Sequence, residues 1–383
     1  MTLDARRRAI LAVRVIIVAG VLLLVSRHYD SATGFTPLIN FAEFERVWES
    51  ERLQQTPHFR YPGRASYDGQ FYAQLALDPL LRQPDTDTLM DLAPYRARRI
   101  LFSMTAWCLG LGQPFWILQA YALQNVLAWL ILAWWLARRL PPDDWRAVAV
   151  WAGCLLTQGL MASVRLAVLD GPSLLLIVLA VAAVDRGKLL AASAILGIAA
   201  LGRETNLLAA IAFIPLLWES RPRLWRLAIA GLLLISPWLL WVDYLRPIYR
   251  STVLAHGDSF GPPLLTFLDQ WLRVYRHPFF GSDPQAAWRN PATLVLVSLT
   301  AQAIYLGVRP GLRKPIWWVG AAFTIIMLMA SPIVWNGHPG ATARVVLPMS
   351  FAFNVLLLRE RTFWPWWVAG NLTMAAGVLA LLS

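Results

Sequence analysis

Asp68, in Tyr67-Asp68-Gly69-Gln70-Phe71-Tyr72, is the carboxylate of this 383-residue chain best placed by its neighbours to take a proton. On a helix beginning at Asp68, Phe71, Tyr72 and Leu75 share the face toward membrane or core, and the acid stands at the N-terminus, where the dipole favours an anion. Asp is also a favoured helix cap, so the spacing allows both a capping acid and a general base. Tyr67, Gln70 and Tyr72 add hydrogen-bonding groups for a substrate.

Arginines offer the complementary charge, because a guanidinium fork matches phosphate oxygens. Arg98 and Arg99 end the run Tyr95-Arg96-Ala97-Arg98-Arg99, which serves equally well as an interfacial lipid anchor. Arg165 and Asp170 bracket a short turn, as a phosphate ligand and a substrate acid or as an Arg–Asp pair closing the turn. In Leu201-Gly202-Arg203-Glu204-Thr205-Asn206 two ionisable residues interrupt a long apolar stretch, where charge is costly unless paired or functional. Arg203 is placed there on a phosphate, with Glu204 orienting it or an acceptor; helix capping and mutual pairing are the alternatives. His256 and Asp258 can bind sugar hydroxyls. They have no third closely spaced ligand, so a divalent metal is possible in principle but unsupported. His338, in Asn336-Gly337-His338-Pro339-Gly340 upstream of Arg344, is either a substrate contact or part of a turn. No Walker-type loop, G-x-S-x-G or H-E-x-x-H is present, which leaves NTP hydrolysis and protease chemistry without a motif.

The elements that must position these groups are membrane spans. Hydrophobic residues make up 58% of the chain and charged residues only 15%, and apolar runs approach the roughly 20 residues that a crossing needs. They begin at Ile10–Ser26 and recur at 114–137, 147–163, 172–184, 189–201, 206–218, 227–242, 291–308, 316–334, 344–358 and 364–382, which predicts an all-α polytopic bundle of about 11 spans. The net charge of +12 is nearly all arginine, with Lys188 and Lys314 the only lysines. It lies in short loops, as in multipass proteins, and so points away from nucleic acid. The two cysteines, Cys108 and Cys154, lie in apolar runs and give no disulfide framework. The first run follows Arg6-Arg7-Arg8 and lacks a small-residue cleavage site, so it reads as a retained signal anchor.

Charge also sets the topology. If Ile100–Gly112 does not cross, every basic cluster falls on the side of the N-terminus, which is then cytoplasmic. The chain divides into a cytoplasmic start and first span (1–26), an extracytoplasmic loop with surface helices (27–113), core spans (114–242), a second large outer loop (243–290) and C-terminal spans (291–383). Tryptophans such as Trp218, Trp225, Trp317 and Trp364 mark span ends. Within the first outer loop Phe41, Phe44, Val47 and Trp48 recur at helical spacing, predicting one amphipathic helix over 41–53 that rests on the membrane surface.

Aromatic-Asp-x-x-aromatic-aromatic followed by Leu75-Ala76, in the first outer loop of a multipass chain, resembles the GT-C superfamily of membrane glycosyltransferases. It is most similar to the GPI mannosyltransferase II type and to bacterial proteins with a YDGQFY-like segment. The likeness covers the layout of roughly the first 220 residues, with about ten carrying its sharp part. It implies a GT-C-like fold and transfer of a hexose, such as mannose, from a polyprenyl-phosphate donor to a glycan, glycolipid or other cell-envelope acceptor, outside a bacterial inner membrane. Asp68 holds the place of the family's catalytic acid, and Asp30 the place used in other branches. The rival classes are a transporter or lipid flippase, which calls for charges along a central path, and a non-catalytic assembly subunit. Membrane lipids are the remaining partner implied, and nothing in the sequence sets an oligomeric state.

Overall fold

The computed structural model describes residues 2–83, 90–220, 222–249, 259–276, 286–336 and 341–382. These residues are predominantly helical, with one two-stranded sheet. Helix α1 (Leu3–Ser26) is capped by the Thr2 hydroxyl, which accepts from the Ala5 amide. Its 24 residues reach about 36 Å. It buries Ile10, Val21 and Val25 and turns Leu11, Ile16 and Leu23 outward.

The segment after α1 is more broken than its periodicity predicts. Phe41–Ala42 is a strand (β1) in parallel register with Arg60–Tyr61 (β2), so Phe41 is buried. Glu43–Trp48 is a 3₁₀ turn with non-helical dihedrals at Glu45, and Ser50 caps a separate short helix, α2 (Glu51–Gln54). The single amphipathic helix over 41–53 is thus corrected. Its helical repeat is cut because Glu49 turns extended and inward to accept from His58 Nε2 at 3.1 Å and from Arg60 Nε and Nη2 at 2.7 and 2.6 Å. Phe44, Val47 and Trp48 remain exposed.

Helices α3 (Gly69–Leu77), α4 (Ala93–Ala97) and α5 (Leu101–Leu109) complete this region. The nine residues of α5 span about 14 Å, well short of a bilayer core, so Ile100–Gly112 does not supply a helical crossing. Helix α6 (Pro114–Arg139) starts on a proline and ends with Arg138 and Arg139 stacked over Trp134 and Trp135. The 147–163 run is two helices, α7 (Trp145–Leu155) and α8 (Gln158–Arg165), bent by 48°. Thr157 causes the break, its side chain capping α8 through the Leu160 amide. Indole donors lock α6 to α7, from Trp129 to the Leu155 carbonyl and from Trp151 to that of Ala133, each 2.9 Å.

Helices α9 (Asp170–Val184) and α10 (Leu189–Ala200) follow. The 206–218 run departs from a regular helix: Glu204–Phe213 is 3₁₀ and only Ile214–Ser220 is α (α11). Helix α12 (Leu224–Tyr249) runs seven residues into the segment assigned to the second outer loop. Then come α13 (Leu265–Arg276), α14 (Ala286–Val308), α15 (Pro315–Met329), α16 (Pro332–Asn336), α17 (Ala341–Val345), α18 (Leu347–Leu357), α19 (Phe363–Gly370) and α20 (Met374–Ala380). Among the described residues three helices, α1, α6 and α12, are long and apolar enough to cross a membrane, and α7 with α8 meets the same test as one bent pair. Most of the other predicted crossings are shorter apolar helices, α9, α10, α15 and α18 among them.

Candidate active site

Asp68 does not cap α3. Its backbone is helical, at φ −44° and ψ −32°, and its side chain makes no capping bond. The carboxylate turns instead to α4, where Oδ1 accepts from Arg96 Nη2 at 2.8 Å. Among the described residues none donates to Oδ2. Gly69 makes this placement possible: a Cβ there would collide with the Leu166 carbonyl oxygen, so only glycine lets α3 lie against the turn between α8 and α9. That turn is itself strained, with Ala167 at φ +45°. Tyr121 and Asn125 of α6 hold it, donating to the Ala167 and Val168 carbonyls at 2.9 Å each.

From Asp68 an ion network runs through five separate segments. Arg96 also bridges both oxygens of Asp91, at 3.0 and 3.2 Å, and approaches the Tyr72 hydroxyl at 3.4 Å. Arg99 clasps Glu204 with two bonds, 3.0 and 2.9 Å, and touches the Tyr95 hydroxyl. Asp170 accepts from Arg203 on Oδ1 and from Arg344 Nη1 on Oδ2 at 3.2 Å, while Arg344 Nη2 reaches the Tyr67 hydroxyl. Three anchors fix the elements. The Leu101 amide donates to the Leu201 carbonyl at 3.0 Å and brings Arg99 beside Glu204. Trp241 of α12 donates to the Ala97 carbonyl at 2.9 Å and steadies α4. Gly159 lets α8 approach the Ala343 carbonyl and so seats α17 with its Arg344.

The acids of this network differ in access, Asp91 at its edge being the most exposed at 54%. The side-chain exposures of the others are 6% for Asp170, 21% for Glu204 and 37% for Asp68. Burial pushes the Asp68 carboxyl up, but Arg96, Arg344 and Arg99 outweigh it and hold the group below its ordinary value of 3.8. Asp68 is thus an ionised, reachable acceptor among fixed cations.

The network joins Asp68, Tyr67, Tyr72, Asp170, Glu204, Arg99 and Arg203 of the sequence candidates. Two pairings that the sequence left open as alternatives are not formed. Arg203 pairs with Asp170 rather than Glu204, because it is extended, at φ −164°, and points away from its helical neighbour. Asp170 does not close its own turn with Arg165, which donates to the Pro37 carbonyl at 3.3 Å and the Tyr61 hydroxyl at 3.2 Å. Arg98 is buried with its guanidinium 5.5 Å from the centre of the Tyr95 ring. Gln70 is buried and turns to Glu45, 3.1 Å away. Asp30 lies apart from the network and spends Oδ1 on its own turn, accepting from the Ala32 amide at 3.0 Å and from the Thr33 amide and hydroxyl at 2.8 Å each. His256, Asp258 and His338 lie outside the described residues.

Sequence reasoning passed over Arg96 and Arg344 as site residues, although both stood in quoted segments. The signal was there for Arg344, an ionisable residue opening the apolar 344–358 run. Asp91 carried no comparable signal. Among the described residues no group of three or more His, Cys, Asp or Glu side chains could hold a metal ion. Compared with known proteins, the chain matches no family model and no curated protein.

Proposed function

We propose that the chain is a multipass membrane glycosyltransferase of the GT-C type, with about 11 crossings, its N-terminus in the cytoplasm and its site on the outer face of a bacterial inner membrane. The donor is a polyprenyl-phosphate-linked hexose, and the acceptor a cell-envelope glycan or glycolipid. Asp68 carries this reading, because it combines partial exposure, an oxygen that accepts from no group among the described residues, and flanking arginines in one place.

The chemistry follows from those groups. Asp68 takes the proton of the acceptor hydroxyl as its oxygen bonds to the anomeric carbon and the bond to phosphate breaks. Positioned proton transfer of this kind is worth roughly 10²–10⁴ in rate. The leaving phosphate keeps its charge and needs a fixed cation. Arg99 and Arg203 are already engaged by Glu204 and Asp170. Arg165 is buried, and its hydrogen bonds go to a carbonyl and a phenol rather than a carboxylate. It is therefore the cation best matched to the phosphate, while Arg99 and Arg203 set the acids. The deciding assay gives purified protein a polyprenyl-phosphate sugar and an envelope glycolipid acceptor. Efficient transfer from a nucleotide sugar with no lipid carrier present would refute the reading.

A further inference from the structure

Helix α13 presents three different faces. Thr266, Phe267, Gln270, Trp271 and Val274 turn toward the protein, where Gln270 donates to the Asn336 side chain at 3.1 Å and Phe267 meets Trp335 with ring centres 6.1 Å apart. Leu265, Leu268, Leu272 and Tyr275, spaced by three, four and three residues, form a stripe that is exposed by 50% or more at every position. Beside that stripe run Asp269, Arg273 and Arg276, with Asp269 and Arg273 paired at 2.8 Å and both half-exposed.

The depth of the helix is fixed independently. Helix α15 begins after Arg309, Arg313 and Lys314, the basic inner end of its run, and its 15 residues rise about 22 Å to Met329. The Gly261 and Leu264 amides donate to the carbonyls of Met329 and Leu328 at 2.8 and 2.7 Å, capping the last turn of α15. The Ser331 amide returns a bond to the Ser259 carbonyl at 3.1 Å. Leu264, at φ +67°, then turns the chain into α13. The helix therefore starts level with the outer end of a span, and an apolar stripe facing water there would be costly over three turns.

We propose that α13 is an interfacial helix docked on the outer leaflet, with Leu265, Leu268, Leu272 and Tyr275 among the acyl chains and Asp269, Arg273 and Arg276 among the headgroups. An apolar arc adjoining a charged arc is the pattern that suits a helix lying in the headgroup plane. This rests on α15 crossing with Lys314 inside, and not on the transfer chemistry.

The test uses full-length Cys108→Ser protein in liposomes, since Cys154 is buried and out of reach of reagents. Single Leu272→Cys and Arg273→Cys variants carry an environment-sensitive fluorophore. Nitroxide placed high on the acyl chain should quench the label at 272 strongly and that at 273 weakly, with aqueous iodide showing the reverse order. Iodide quenching at 272 would overturn the proposal. Shielding at 272 from both quenchers would also overturn it, because another protein surface would then cover the stripe. If the labelled variants fail to fold, unmodified protein with photoactivatable phospholipid gives the same decision. Adducts on the stripe support docking, and their absence there, with adducts on α1 and α12 present, refutes it. Either failure with transfer activity intact leaves the enzymatic reading standing.

Discussion

Asp68→Asn separates proton acceptance from everything else the residue does. Asn keeps the shape and the polarity, and the structure removes capping from consideration because Asp68 makes no capping bond. What is lost structurally is one ion pair to Arg96, whose acid is 37% exposed and whose guanidinium keeps two bonds to Asp91. A partly exposed pair of this kind contributes about 0–1 kcal/mol after solvent screening, so the variant should melt within a few degrees of the parent. Turnover should behave differently. Removing a general base costs roughly 10²-fold or more, equivalent to about 2.7 kcal/mol of barrier. The assay is sugar transfer in liposomes beside a thermal-stability measurement and donor binding. Asp30→Asn in parallel should keep near-normal turnover, since among the described residues that carboxylate accepts from Ala32 and Thr33 of its own turn. Normal turnover in Asp68→Asn would refute the base assignment. Loss confined to Asp30→Asn would transfer the role to Asp30.

The remaining expectations test the surroundings of that base. Arg165→Lys should raise the KM for donor with little change in kcat, since an ammonium cannot make the forked contact; an unchanged KM would return Arg165 to a purely structural place. Arg203→Ala should instead cost about 3 kcal/mol of stability by stranding part of a buried pair, with donor affinity retained; a selective loss of donor binding would place Arg203 on the phosphate after all. Gly69→Ala removes no chemical group yet drives a Cβ into the Leu166 carbonyl, so it should lose about 1–3 kcal/mol and much of the turnover. Asp68 is held below 3.8 in the folded protein, so its charge is present above that value and lost only as pH falls through it; kcat/KM should show no acid limb from this group between about pH 5 and 8, and a limb that vanishes in Asp68→Asn would contradict this. Impermeant thiol labelling of Gln55→Cys in intact cells, with Arg313→Cys labelled only after permeabilisation, is the expected topology.

The sequence carried the helical character, the broken second outer loop boundary excepted, because apolar runs and basic breaks are local signals. It carried less of the segment that follows α1. Helical spacing over 41–53 was real, but the periodicity says nothing about Glu49 being drawn inward by His58 and Arg60, nine and eleven residues away. The break at Thr157 was also hidden, since a capping hydroxyl within an apolar run looks like any tolerated polar residue. For the site, residue types were legible and pairings were not. Asp68, Arg99, Asp170, Arg203 and Glu204 each stood out by their chemistry, but their partners lie 28 to 174 residues away and depend on which helix ends meet.

Those pairings change what the arginines are for. Arg96, Arg99, Arg203 and Arg344 face Asp68, Asp91, Asp170 and Glu204, four cations against four acids, so the network is close to neutral by itself. A neutral, mutually bonded set holds its geometry without a ligand, and fixed dipoles and charges need no rearrangement when charge moves during reaction. Asp170 holds two arginines from different elements at once, so Arg203 after α10 and Arg344 on α17 are tied to the start of α9. Arg344 in turn reaches Tyr67, the residue before Asp68. Asp68 is thereby tied, through its neighbour Tyr67, to three helix ends.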